Sequence, residues 1–165
     1  MSSAARAANR GSGAAAATPS AGIQTLDVRK ETSIDAPPDL VWESLLEELG
    51  PAGEMPDGTP FPKTLEAWPG GRWFRDLGNN TGHLWGHVQV IKPPAVLEIV
   101  GPLFMSYPVA SHLQYRLKAD GKRTTLTLVH RAIGLIDPQH AEGVKMGWGH
   151  ISERVQRKAE AKAGK

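Results

Sequence analysis

Cysteine is missing altogether from the 165 residues. That removes disulfide frameworks, thiolate metal sites and cysteine nucleophiles in one step. It fits a reducing compartment, so the expected location is cytoplasmic. Long apolar runs are missing too. The most hydrophobic stretch, "VLEIVGPLFM", is interrupted by Glu98, Gly101 and Pro102. A membrane-spanning helix needs about 18 or more consecutive apolar residues, so no integral membrane segment is expected. No apolar core follows Arg6 and Arg10, which argues against a secretory signal.

A strong charge of either sign is also lacking. The formal net charge is +2, and the pI near 9.0 owes much to the ends of the chain. After Glu153, Arg154, Arg157, Lys158, Lys162 and Lys165 meet one acid, Glu160. No aromatic residue is interleaved with these cations, so they read as a solvated helix end and no nucleic-acid partner is expected. Nucleophile elbows, P-loops and dinucleotide-binding glycine patterns are absent as well, and no cofactor is called for.

What is present divides the chain. Residues 1–22 are rich in Ala, Gly and Ser and read as a disordered tail. Their Arg-bearing, acid-free composition also admits an organelle transit peptide. Residues 23–158 form the expected folded domain, and 159–165 a disordered basic tail. "LDVRKETSID" alternates with period two. Leu26 and Ile34 end one face of it, while Lys30 and Thr32 make its middle polar. Either a cavity-lining strand or an edge strand fits that pattern. Asp35-Ala36-Pro37-Pro38 ends the strand and suits the first turn of a helix. Val41, Trp42, Leu45, Leu46 and Leu49 then recur at helical spacing until Gly50-Pro51. Short strands are expected at "KTLEAW", "RWFRDL", "HLWGHVQVI", "AVLEIVG", "SHLQYRLKA" and "RTTLTLVHRA", separated by turn signals. Asp137-Pro138 caps a second helix, with Val144, Trp148, Ile151 and Val155 on its buried face. One strand, a helix, a run of antiparallel strands and a long last helix make an α+β plan. A twisted sheet cannot lie flush against a straight helix, so a binding space is expected between the sheet and that helix.

Five segments in order carry a resemblance: "IDAPPDLVWESL", "PGGRW", "GHVQVIKPPAVLEI", "TTLTLVH" and the Gly147-Trp148 pair. Over about Leu26 to Val155 the chain resembles the START-like (SRPBCC) superfamily. Within it, the chain looks most like the branch of the activator of heat-shock-protein-90 ATPase. The resemblance implies a helix-grip fold: a curved antiparallel sheet of about seven strands around a C-terminal helix. It also implies binding of lipids or other hydrophobic small molecules. Some members are cofactor-free cyclases, aromatases or dehydratases, and the branch's namesake is a co-chaperone with an additional N-terminal domain. A chaperone partner is therefore a further reading, beside a small hydrophobic or aromatic ligand.

The residues expected to line the cavity are Trp68, Trp73, Trp85, Phe104, Tyr115, Leu126, Leu128, His130 and Trp148. For each tryptophan, core packing and pocket lining both stand open. His130 matches the family's strand-end histidine. It is the candidate for fixing a ligand oxygen or moving a proton, with hydrogen-bonded structure as the alternative. Glu66 and Glu98 are the acids that would complete an acid–base pair if they faced it. His83 and His87 lie four residues apart on one strand, about 13 Å at about 3.3 Å per residue. That is too far for two imidazoles to share one ion, and no metal site is expected.

Overall fold

The computed structural model describes residues 22–164; the N-terminal tail, apart from Gly22, and Lys165 lie outside them. Nine elements follow in order: β1 (Gln24–Ile34), α1 (Pro38–Leu49), β2 (Thr64–Leu65), β3 (Arg72–Gly78), β4 (Thr81–Lys92), β5 (Val96–Gly101), β6 (Val109–Asp120), β7 (Arg123–Gly134) and α2 (Pro138–Lys162). The seven strands form one antiparallel sheet in the order β1-β7-β6-β5-β4-β3-β2. This is a helix-grip-like α+β fold, with α1 and α2 on one face of the sheet. No helix among the described residues is long and apolar enough to cross a membrane.

Period-two alternation sets the concave face. Leu113, Tyr115 and Leu117 of β6 are buried, as are Leu126, Leu128 and His130 of β7. The register places Leu113 opposite His130 and Tyr115 opposite Leu128. β1 is an edge strand, which accounts for its polar middle. There α2 crosses it: the Lys30 Nζ comes within 3.3 Å of where a Cβ on Gly149 would stand. A glycine at that point of the helix leaves room for the lysine end.

The helices are placed by their stripes. Val41, Trp42, Leu45 and Leu49 of α1 are buried, and so are Val144, Trp148, Ile151 and Val155 of α2. Asp137 caps α2 by accepting from the backbone N–H groups of Gln139 (2.7 Å) and His140 (3.2 Å). Between the helices lies a layer of charge. Glu48 of α1, fully buried, receives Arg154 at 2.8 Å and Lys158 at 2.6 Å. Lys162 reaches Glu43 and Glu47 at 2.9 and 2.8 Å, and Arg157 reaches Glu54 at 2.7 Å. The C-terminal cations are thus engaged by the acids of α1 and its following loop. For the same reason the helix runs on past residue 158, where the sequence predicts a disordered tail. Ala159 is fully buried, and Lys162 is anchored.

Two glycines weaken α2 with no packing reason. Gly143 and Gly147 would each meet nothing within 4 Å on gaining a Cβ. Glycine in a helix interior costs about 1 kcal/mol relative to alanine. Gly143→Ala and Gly147→Ala are each expected to raise the melting temperature by about 2–4 °C in a thermal scan.

Candidate ligand cleft

A cleft of about 510 Å³ opens at one end of the concave face. Its walls are Phe61 from the loop after α1, Arg75, His83, Leu84 and Trp85 from the β3–β4 hairpin, and residues 102–106 between β5 and β6. No residue of α2 lines it. The sequence predicts the opening beneath that helix, and this part of the expectation is corrected. The gap left there by the sheet's twist is filled by large side chains. Trp73, Trp148, Tyr115, Leu126 and Leu128 are all essentially inaccessible to solvent.

Trp85 owes its position to a break in register. Trp73 pairs with Gly86 and Phe74 with Leu84, so Trp85 is the extra residue between them. A bulge of this kind re-aims one side chain. Here it turns Trp85 inward although the equally buried Val88 has the opposite parity. Gly86 and Gly101 make the bend possible. A Cβ on Gly86 would fall 2.6 Å from the Val100 carbonyl oxygen, and one on Gly101 would collide with that of Trp85. The facing loop is held just as firmly. Leu103 takes φ of 53°, a region non-glycine residues seldom enter. Its buried side chain and its N–H bond to the Trp85 carbonyl, 2.8 Å, keep it there. The next residue, Phe104, is thereby presented to the tryptophans.

The result is a connected set of aromatic rings. Phe61 stacks on Trp85 with centroids 6.0 Å apart, and Trp85 meets Phe104 edge-on at 5.1 Å. Behind them Trp73 touches both Trp85 (5.2 Å) and Phe104 (5.3 Å). Phe104 also meets Trp148 at 5.4 Å. The Trp73 indole donates to the Leu49 carbonyl at 2.7 Å, which satisfies one of the free carbonyls at the end of α1.

His130 closes the inner end of this set. It is 1% exposed and lies within β7, with no opening to solvent. The Trp148 Nε1–H donates to its Nδ1 at 2.9 Å. Nδ1 is therefore the acceptor, and the ring proton sits on Nε2, which is buried without a protein partner. Burial pushes the imidazole down to about 4, so it is neutral near pH 7. The Tyr115 hydroxyl is buried and unpartnered too. Burial, followed by the charge of Glu48, raises its ionisation well above the ordinary tyrosine value.

The two candidate acids lie elsewhere. Glu66 is bound by Arg72 through the backbone N–H (2.8 Å) and the guanidinium. These bonds hold its carboxyl down to about 2. Glu98 points away from its buried neighbours Leu97 and Ile99, and accepts from Gln114 at 2.7 Å beside His112 at 3.3 Å. Burial pushes Glu98 up, but those two bonds outweigh it and its carboxyl lies below the usual range. Trp68 is 56% exposed and joins neither the cleft nor the core. Of the residues expected at the site, Trp85 and Phe104 line the opening. Trp73, Trp148, Tyr115, Leu126, Leu128 and His130 form the interior behind it. Phe61 and Arg75 were missed. Arg75 shares the period-two face of Trp73, a signal the sequence does carry; Phe61 lies in a proline-rich loop with no periodicity to read.

The chain is similar in fold to several solved structures, each at low sequence identity. One such solved structure is protein MLL2253 from Mesorhizobium loti, with 19% sequence identity and a TM-score of 0.59 over 82% of this chain and 97% of that one. Another is CalU16 from Micromonospora echinospora, with 19% identity and a TM-score of 0.53 over 82% and 83% of the two chains. DynU16, from the dynemicin biosynthetic locus, has 22% identity and a TM-score of 0.58. The match covers 81% of this chain and 47% of DynU16, so this chain spans about half that protein's length. No family model and no curated protein sequence matches the chain.

Proposed function

We propose that the chain binds a small, flat, hydrophobic or aromatic molecule in the cleft between the β3–β4 hairpin and the 102–106 loop. The observation that carries this reading is the Phe61–Trp85–Phe104 wall, open at the cleft and backed by Trp73 and Trp148. An aromatic guest on such a wall gains apolar burial. Favourable ring contacts add about 0.5–1.5 kcal/mol each. Arg75, His83 and Ser106 are the polar side chains at its border, and such groups orient a ligand held mainly by apolar contact. The enzymatic alternative needs a carboxylate facing His130. The two acids considered for that role are engaged by Arg72 and by Gln114 with His112.

The test is a titration with 2-naphthamide followed by tryptophan fluorescence. Saturable quenching is expected. Phe61→Ala should weaken it about tenfold, the equivalent of roughly 1.4 kcal/mol, whereas Trp68→Phe should leave it unchanged. Equal loss in both variants, or no saturable signal, would refute the cleft as the site.

A further inference from the structure

We propose that the molecule taken by the cleft carries a carboxylate on its aromatic frame, and that Arg75 receives that group. This rests on the binding reading above and specifies its ligand class.

Arg75 is set apart by what it does not pair with. Eight arginines fall among the described residues, and six of them meet a carboxylate: Arg29, Arg72, Arg123, Arg131, Arg154 and Arg157. Arg116 donates to the Gln114 side chain at 2.9 Å. Arg75 has no ion pair among the described residues; its guanidinium carbon lies 4.1 Å from the centre of the Phe61 ring. Its chain neighbour Asp76 is turned aside, accepting from the Gly78 N–H at 2.7 Å. None of the residues that line the cleft is acidic. The cation therefore borders an aromatic opening that contains no compensating charge.

The way Arg75 is held fits reception of an anion. Its guanidinium carbon stands over the Phe61 ring, a contact that uses none of its N–H groups on a charged or polar side chain. Its edge N–H groups remain for an acceptor. A carboxylate takes two parallel N–H bonds from that edge, a charge-assisted geometry stronger than neutral hydrogen bonds. Phe61 itself stacks on Trp85. A ring attached to the carboxylate would then lie beside the stack that already supports the arginine. Across the hairpin, Arg75 is in register with His83, which also borders the cleft and offers a second polar contact at the rim.

The experiment compares two probes of the same shape, 2-naphthoate and neutral 2-naphthamide, on the full chain at fixed low salt. On the unmodified protein, naphthoate should bind about tenfold more tightly or better. In Arg75→Gln the ratio of the two affinities should fall to about one, chiefly through loss of naphthoate affinity. Arg75→Lys, which keeps the charge without the fork, should restore only part of it, and it serves as the second variant if the glutamine chain folds poorly. Equal affinities on the unmodified protein would overturn the carboxylate inference while leaving aromatic binding intact. So would a naphthoate preference that survives Arg75→Gln. If neither probe binds, the cleft reading falls and this inference falls with it.

Discussion

Glu48→Gln is expected to lower the free energy of unfolding by about 3–5 kcal/mol, the usual cost of breaking a buried ion pair from one side. Glu48 is 0% exposed and holds both Arg154 and Lys158. Lys63 shares the neighbourhood. Burial pulls its amine down to about 8, and the Glu48 charge works in the opposite direction. Removing that one carboxylate leaves two α2 cations facing a low-dielectric space and takes the main electrostatic support from Lys63. The measurement is urea denaturation at pH 7. A triple variant separates pairing from packing: Glu48→Met combined with Arg154→Met and Lys158→Met should recover most of the loss, since buried ion clusters are often replaceable by apolar groups. If Glu48→Gln costs less than about 1 kcal/mol, the α1–α2 charge layer is solvated and its assigned role is wrong.

His130 should make the fold acid-sensitive. Its folded-state value near 4 lies below the ordinary 6.5 because burial disfavours the charged ring. In that window the unfolded chain binds the proton and the folded chain does not. Stability is therefore fully present above about pH 6.5 and falls as the pH drops toward 4, by about 3 kcal/mol in total from this residue. His130→Gln keeps an acceptor for the Trp148 indole and removes the titration. Unfolding free energies measured from pH 7 to pH 4 should fall more steeply for the unmodified protein than for the variant. Parallel curves would mean that the ring protonates freely in the folded state.

The helices and strand order were legible because their signals are local and repetitive. The α1 and α2 stripes match the buried residues except at Leu46, which is half-buried, and the alternation of β6 and β7 gives the concave face. The polar middle of β1 admitted two readings, and its position at the sheet edge accounts for it. The site was less legible because long-range register makes it. Trp85 is buried through a bulge that period-two counting does not reveal. The left-handed Leu103 aims Phe104. His130 reads as a polar strand tip in the sequence, yet the register places it at mid-sheet beneath Trp148. The final cations read as a solvated helix end, because the acids that engage them lie more than a hundred residues earlier.

The central claim is that the aromatic wall of Phe61, Trp85 and Phe104 receives a flat guest. The most direct measurement is a ¹H–¹⁵N correlation spectrum of the labelled protein during titration with 2-naphthamide. The account predicts saturable shifts of the Trp85 indole N–H and of the backbone amides of Leu103–Ser106, while the Trp68 indole stays in place. Shifts clustered on another face, or a spectrum unchanged at saturating probe, would contradict it.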